Sequence, residues 1–79
     1  MMNIGNEKEA LDAIDSIRQE PLRAQLRTLQ LSIESMELGQ MYYDQKGNEQ
    51  GSERLARCLR IVAERKKEIE RALEDAETP

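Results

Sequence analysis

Two long segments of the chain are separated by a short polar stretch, Lys46-Gly47-Asn48-Glu49-Gln50-Gly51-Ser52. Gly47 suits the left-handed conformation in which many helices end, and either Asn48 or Ser52 is able to cap a helix that follows. The flanking segments have similar lengths, so a tight turn between them brings them together in opposite directions. The stretch therefore predicts an antiparallel helical hairpin.

Both long segments repeat apolar residues at spacings of four and three, the pattern of helices that pack side by side. The rows run through Leu22, Leu26, Leu29, Ile33 and Met36 in the first segment and through Leu55, Leu59, Val62, Ile69 and Leu73 in the second. Aligned across the turn, they pair Tyr43 with Leu55, Met36 with Val62 and Leu29 with Ile69. We predict an all-α fold built on a coiled-coil-like hairpin.

Pro21 marks a second boundary, because proline lacks a backbone N–H and is tolerated in a helix mainly in the first turn. A shorter helix before it carries an amphipathic face formed by Ala10, Leu11, Ile14 and Ile17. The predicted organisation is a single helical domain over residues 1–79, with a short helix near 7–18 and hairpin helices near 21–46 and 50–76.

With 79 residues, the chain is short for an independent fold. It contains one cysteine and no histidine. A lone thiol forms no intrachain disulfide, and structural zinc sites need several Cys and His ligands. Chains of this size seldom draw more than about 3–5 kcal/mol from one core. The further support that we expect comes from a well-packed helical seam, from self-association into a helical bundle, most simply a homodimer, or from a partner protein.

Several apolar residues are left over when the two rows face each other. On the first hairpin helix these are Leu31, Leu38, Met41 and Tyr42, which point away from the second helix. On the second hairpin helix it is Ile61, which lies beside the apolar row. They belong either to the core of a three-helix or dimeric arrangement, or to a face that binds another helical protein. The second interpretation predicts an interaction module, acting as an adaptor, a small chaperone or a regulator.

Catalytic and cofactor chemistry is not indicated. General acid–base catalysis needs a positioned histidine or a desolvated carboxylate, whereas the acids here alternate with bases along helices. Cys58 has no histidine to activate it and is interpreted as a small core residue. The two glycines of the turn lack the Lys-Ser/Thr sequence that follows in a phosphate-binding loop. We expect no enzymatic activity, no metal and no cofactor.

An alternative function, a small nucleic-acid-binding regulator, rests on a basic stripe along the last helix: Arg54, Arg57, Arg60, Lys67 and Arg71. Glu64 lies in the same row, and the net charge of the chain is −4. Nucleic-acid binders usually displace counterions with a net basic patch. The mixed stripe therefore favours a solvated, salt-bridged face.

A cytoplasmic location without membrane association is the remaining expectation. No apolar run approaches the roughly 20 residues that span a bilayer, and the N-terminal residues lack the basic and apolar regions of a signal peptide. An unpaired cysteine is typical of a reducing compartment.

Overall fold

The structure is a computed structural model that describes residues 4–77. It contains three α-helices: α1 (Glu7–Ser16), α2 (Leu22–Lys46) and α3 (Glu49–Glu77). Within this range no β-strand forms. The prediction of an all-α fold is confirmed.

The beginning of α1 is fixed by two hydrogen bonds between side chains and backbone. The Asn6 side-chain oxygen accepts the Glu9 backbone N–H at 2.8 Å, and the Glu9 carboxylate accepts the Gly5 backbone N–H at 2.8 Å. Together these bonds satisfy backbone donors that would have no partner within the helix. The chain therefore enters α1 at a defined point.

The turn between α2 and α3 is shorter than the polar stretch suggests. Gly47 adopts the left-handed conformation, with φ of 71°, as its position predicts. Asn48 caps α3 by accepting the Gly51 backbone N–H on its side-chain oxygen at 2.9 Å. Gly51 and Ser52 consequently belong to the first turns of α3.

Two glycines lie at the contact between α2 and α3, where an added side chain would not fit. A methyl group at Gly51 would lie 2.7 Å from the Tyr43 ring, and one at Gly39 would lie 2.9 Å from Cδ1 of Leu55. Position 39 of α2 meets position 55 of α3, and position 43 meets position 51, so the two helices run antiparallel. The absence of side chains at these positions lets the backbones come together.

The pairing of the apolar rows, with Tyr43 opposite Leu55, stays a prediction. The structure adds two contacts that the row alignment does not include, Gly51 beside Tyr43 and Leu55 beside Gly39. A count of large apolar residues overlooks such contacts at glycines.

The core has contributions from all three helices. Leu29 and Met36 of α2 and Val62 and Ile69 of α3 are buried, as their rows predict. On one side of this contact lie further buried residues that the rows do not include: Gln25, Ser32 and Cys58. The contact between α2 and α3 is thus rotated toward that side.

Helix α1 packs on α3, along that same side of the α2–α3 pair. Its residues Ala10 and Ile14 are buried with Cys58, which has no exposed surface. Near its beginning, Glu7 forms an ion pair with Arg57 at 3.0 Å. Because α1 has 10 residues and α3 has 29, it covers only part of one side.

Gln25 ties the linker between α1 and α2 to the rest of the protein. Its side-chain nitrogen donates to the backbone oxygens of Glu20 at 2.8 Å and Arg18 at 3.3 Å. Its side-chain oxygen accepts from Nη2 of Arg65 at 3.3 Å, and Nη1 of Arg65 donates to Glu68 at 3.2 Å. Buried polar groups are stable when hydrogen-bonded in this way, so Gln25 joins the linker to α3.

The close contact at Gly51 is tested by replacing this glycine with alanine. Helix propensity alone would raise the free energy of unfolding by about 0.5–1 kcal/mol. We expect Gly51→Ala instead to lower it by about 1–3 kcal/mol, because the new methyl group would overlap the Tyr43 ring. Urea denaturation followed by circular dichroism measures the difference.

Gly39→Ala is the matched control, because its methyl group would meet only the flexible end of Leu55. Its effect is expected to stay within about 1 kcal/mol. A gain in stability for Gly51→Ala would contradict the packing described.

Candidate interaction surface

The large apolar side chains that remain exposed are concentrated on α2. Four of them lie on this helix, with exposed fractions of 58% for Leu31, 67% for Leu38, 58% for Met41 and 57% for Tyr42. We call these four residues the outer face. Four of the five residues predicted to bind a partner are therefore accessible to one.

The outer face is a consequence of how α2 packs. Leu29 and Met36 turn toward α3, and residues two positions beyond them, Leu31 and Leu38, are rotated by about 200° and point away. Helix α1 does not cover these residues, because it packs on α3. From Leu31 to Tyr42 the face extends for roughly 16 Å, or three helical turns.

Tyr42 is held in place by its neighbours. Its ring packs edge-to-face against the ring of Tyr43, with centroids 5.9 Å apart and an interplanar angle of 66°. The ammonium group of Lys46 lies 5.7 Å from the centre of the Tyr42 ring. Tyr43 in turn packs against the core. Tyr42 is thus an oriented aromatic ring on the surface, with a hydroxyl group that can stay in water.

Ile61, the fifth predicted residue, is separated from the outer face. It is half-buried against the core and lines a groove between α1 and α3 together with Leu11 and Ile14. Ile61 therefore contacts the core and also lines this groove, apart from the outer face, and its role in binding a partner stays a prediction. The sequence did not reveal this, because the position of α1 cannot be deduced from spacing.

A second groove, of about 300 Å³, lies near the end of α2 and is bordered by Tyr42. Met36 and Gly39 line it from α2, and Leu55 and Arg54 line it from α3. Ile4 and Gly5, just before α1, also contribute. The groove joins the outer face at Tyr42, so a bound segment has access to both.

The basic stripe of α3 is interrupted by acids. Arg57 is paired with Glu7, and Lys67 and Arg71 share a shallow depression with Glu64 and Glu68. This arrangement lowers the positive potential that a phosphate backbone requires. The stripe is a surface of mixed charge.

Cys58 lies in the core, as the sequence analysis expects. Burial is the main cause that raises the pKa of its thiol, and the nearby Glu7 carboxylate raises it further, against smaller opposing effects of Arg57 and Arg54. A thiol with a raised pKa is protonated at neutral pH and is a poor nucleophile. Cys58 therefore packs as a small apolar residue.

Residues 4–77 contain no group of three or more His, Cys, Asp or Glu side chains that is arranged to hold a metal ion. None of the described helices combines the length and apolar character needed to cross a membrane.

Comparisons with models of protein families, with curated proteins and with solved structures gave no match.

The state of Cys58 predicts how stability depends on pH. The raised pKa keeps the Cys58 thiol of the folded protein protonated to a higher pH than the same thiol in the unfolded chain, which titrates near the ordinary pKa of 9.0. The difference between the folded and unfolded pKa of Cys58 contributes stability that is fully present below the unfolded pKa. This contribution is lost as the pH rises through the folded-state pKa. We expect the stability of the protein relative to Cys58→Ala to fall between neutral and strongly alkaline pH.

Urea denaturation of both proteins at several pH values measures this difference. In parallel, a thiol reagent should label native Cys58 far more slowly than the unfolded chain at neutral pH. Rapid labelling of the native protein, or a stability difference that grows with pH, would contradict a buried neutral thiol.

Proposed function

We propose that this protein is a non-catalytic protein–protein interaction module that presents its outer face to a helical partner, as an adaptor, a small chaperone or a regulator. The observation that carries the proposal is the exposure of four large apolar side chains on one face of α2. Exposed apolar patches of this kind usually mark interaction sites. In this proposal α2 and α3 act as a coiled-coil-like hairpin that holds the face rigid.

The spacing of the outer face favours a helix as the partner. Leu31 and Leu38 are seven positions apart, and Met41 and Tyr42 follow Leu38 by three and four. Side chains at these spacings form a ridge that fits the groove between the side chains of a second helix. The ridge is about three turns long, which is sufficient for a short amphipathic helix to contact all four residues.

The chemistry of these side chains also favours a protein partner. Complete burial of a leucine or methionine side chain contributes about 1.5–3 kcal/mol, and Tyr42 adds a ring that its neighbours already orient. Aromatic residues held in this way are frequent anchors of protein interfaces. The acids and bases around the face would supply a polar rim.

Self-association forms part of the proposal, since a chain of 79 residues gains from a core shared with a second copy. A cytoplasmic location agrees with the single cysteine. The alternative function, nucleic-acid binding through the stripe from Arg54 to Arg71, has weaker support because Glu7 pairs with Arg57 and acids lie beside Lys67 and Arg71.

The outer face is tested by capture of a partner with the double variant Leu38→Glu/Tyr42→Ser. Tagged wild type is expected to retain a protein partner in near-stoichiometric amount from a lysate of the source organism, before and after nuclease treatment. The double variant should retain about tenfold less or worse, because a charge replaces the centre of an apolar interface. Its circular dichroism should match that of the wild type.

Ala72→Glu is the matched control, because it introduces the same charge at an exposed position of α3. It should capture the partner like the wild type. Undiminished capture by the double variant would refute the outer face as the binding site. Recovery of nucleic acid, with every protein partner lost after nuclease treatment, would support the basic stripe instead.

A further inference from the structure

A single charged side chain, that of Arg54, lines the groove bordered by Tyr42. Met36, Leu55 and Ile4 form its apolar surface, and the remaining lining residues are glycines or carry hydroxyl groups. Met36 and Leu55 are also buried members of the core, so this surface is held in place. The groove is therefore an apolar cleft with one positive charge at its wall, and no acid of the described chain lines it.

The charge of Arg54 is not neutralised by the protein itself. Within residues 4–77 Arg54 forms no ion pair and no side-chain hydrogen bond, whereas Arg57 pairs with Glu7. The carboxylate of Glu9, beside the groove at Gly5, already accepts the Gly5 backbone N–H at 2.8 Å. The Arg54 guanidinium is thus available to an acceptor from another molecule.

Lys46 adds a second positive charge next to Tyr42. Its ammonium group lies 5.7 Å from the centre of the Tyr42 ring, and among the described residues it has no carboxylate partner. Asp44, two positions from both of these residues, is rotated by about 200° and points to another side of α2. The Tyr42 end of the outer face therefore presents two bases and an aromatic ring.

The other end of the outer face is electrically balanced. Arg27 lies four positions before Leu31 and Glu34 lies three positions after it, so one base and one acid flank Leu31 on the same side of the helix. The surface thus becomes more positive from Leu31 toward Tyr42. A partner whose charges complement this gradient carries its acids at the end that meets Tyr42.

The groove between α1 and α3 has the opposite character. Its bases are already paired, Arg18 with Asp15 at 2.7 Å and Arg65 with Glu68 at 3.2 Å, and Glu64 lines it as well. A carboxylate ligand would have to displace an existing ion pair there. In the groove at Tyr42 it gains a partner without such a cost.

We infer that the partner of the outer face is an acidic amphipathic helix, which places an apolar side chain in the groove at Tyr42 and a neighbouring carboxylate on Arg54. This inference rests on the proposed function and names the chemistry of the partner. Arginine suits this role, because its planar guanidinium binds both oxygens of a carboxylate at once. The apolar side chain covers Met36 and Leu55, and the carboxylate fixes the direction in which the partner lies.

The dimensions of the groove agree with this kind of ligand. Its volume of about 300 Å³ lies at the lower end of the range for binding pockets, roughly 300–1,000 Å³, so it admits side chains and not a large cofactor. Residues three or four positions apart lie on the same face of a helix. An apolar residue inserted between Met36 and Leu55 and an acid one turn away therefore reach the groove and Arg54 together.

Selection from a displayed peptide library tests the chemistry of the partner. The library consists of helical peptides of about 16 residues, long enough at roughly 24 Å to span the outer face and the groove, and the bait is the full-length wild type. Peptides that bind are expected to carry Asp or Glu three or four positions from a large apolar residue. Enrichment of basic or uncharged peptides, or of none, would overturn the inference.

The affinity of a selected peptide, measured by fluorescence anisotropy, tests the role of Arg54. Arg54→Gln should weaken binding about tenfold, because a charge-assisted hydrogen bond is lost. Arg60→Gln is the matched control, since Arg60 is another exposed arginine of α3 and lines neither groove. It should change the affinity by less than about twofold. Equal affinities of wild type and Arg54→Gln would overturn the inference.

A change on the peptide keeps the test valid if Arg54→Gln fails to fold. Replacement of the selected acid by glutamine should weaken binding to the wild type about tenfold and have little further effect in Arg54→Gln, as expected for two groups that contact each other. The NMR signals of the Met36 and Leu55 methyl groups should shift when the peptide binds. Additive losses, or unshifted signals from both residues, would contradict the assigned position.

The same peptide separates this inference from the proposed function. Binding that Leu38→Glu abolishes and Arg54→Gln leaves unchanged would refute the acidic partner and leave the interaction module intact. Binding that Arg54→Gln weakens, and that the double variant Leu38→Glu/Tyr42→Ser does not affect, would support the carboxylate on Arg54 and refute the outer face.

Discussion

The packing of α2 against α3 is the contact on which the rest of the structure depends. Near Gly39 and Gly51 it leaves no room for a side chain, since a Cβ at Gly51 would overlap the Tyr43 ring. The two helices meet along Leu29, Met36, Val62 and Ile69, and Gln25 and Cys58 are buried beside this contact. Other members of the apolar rows, such as Ile33 and Leu59, stay half-buried. The direction in which the two helices face each other thus decides which apolar residues the chain buries by itself.

The length of α1 decides how much of this surface the chain covers by itself. With 10 residues against 25 in α2, α1 can occupy only one side of the pair, where it buries Cys58 and partly buries Ile61. The outer face stays uncovered, and Leu26, Ile33 and Leu59 of the apolar rows stay half-buried. Exposed apolar surface of this kind is what the proposed interaction module would present to a partner.

Much of the fold follows from the sequence, because helical punctuation is local. The left-handed Gly47, the break at Pro21 and the spacing of leucines depend on neighbouring residues, and they predict the three helices. Exposure of Leu31 and Leu38 likewise follows from their position relative to Leu29 and Met36. The partial burial of Ile61 and the hydrogen bonds of Gln25 depend instead on contacts between distant segments. No periodicity encodes the docking of α1 on α3, and a count of large apolar residues gives no weight to the glycines at the contact between α2 and α3.

The most direct test of this account is the nuclear Overhauser effect between the Tyr43 ring and the Hα protons of Gly51. The structure predicts strong cross-peaks there, together with contacts between Gly39 and the methyl groups of Leu55, since both pairs are in close contact. The absence of cross-peaks from Tyr43 to Gly51 and from Gly39 to Leu55 would contradict the packing of α2 on α3 on which this account depends.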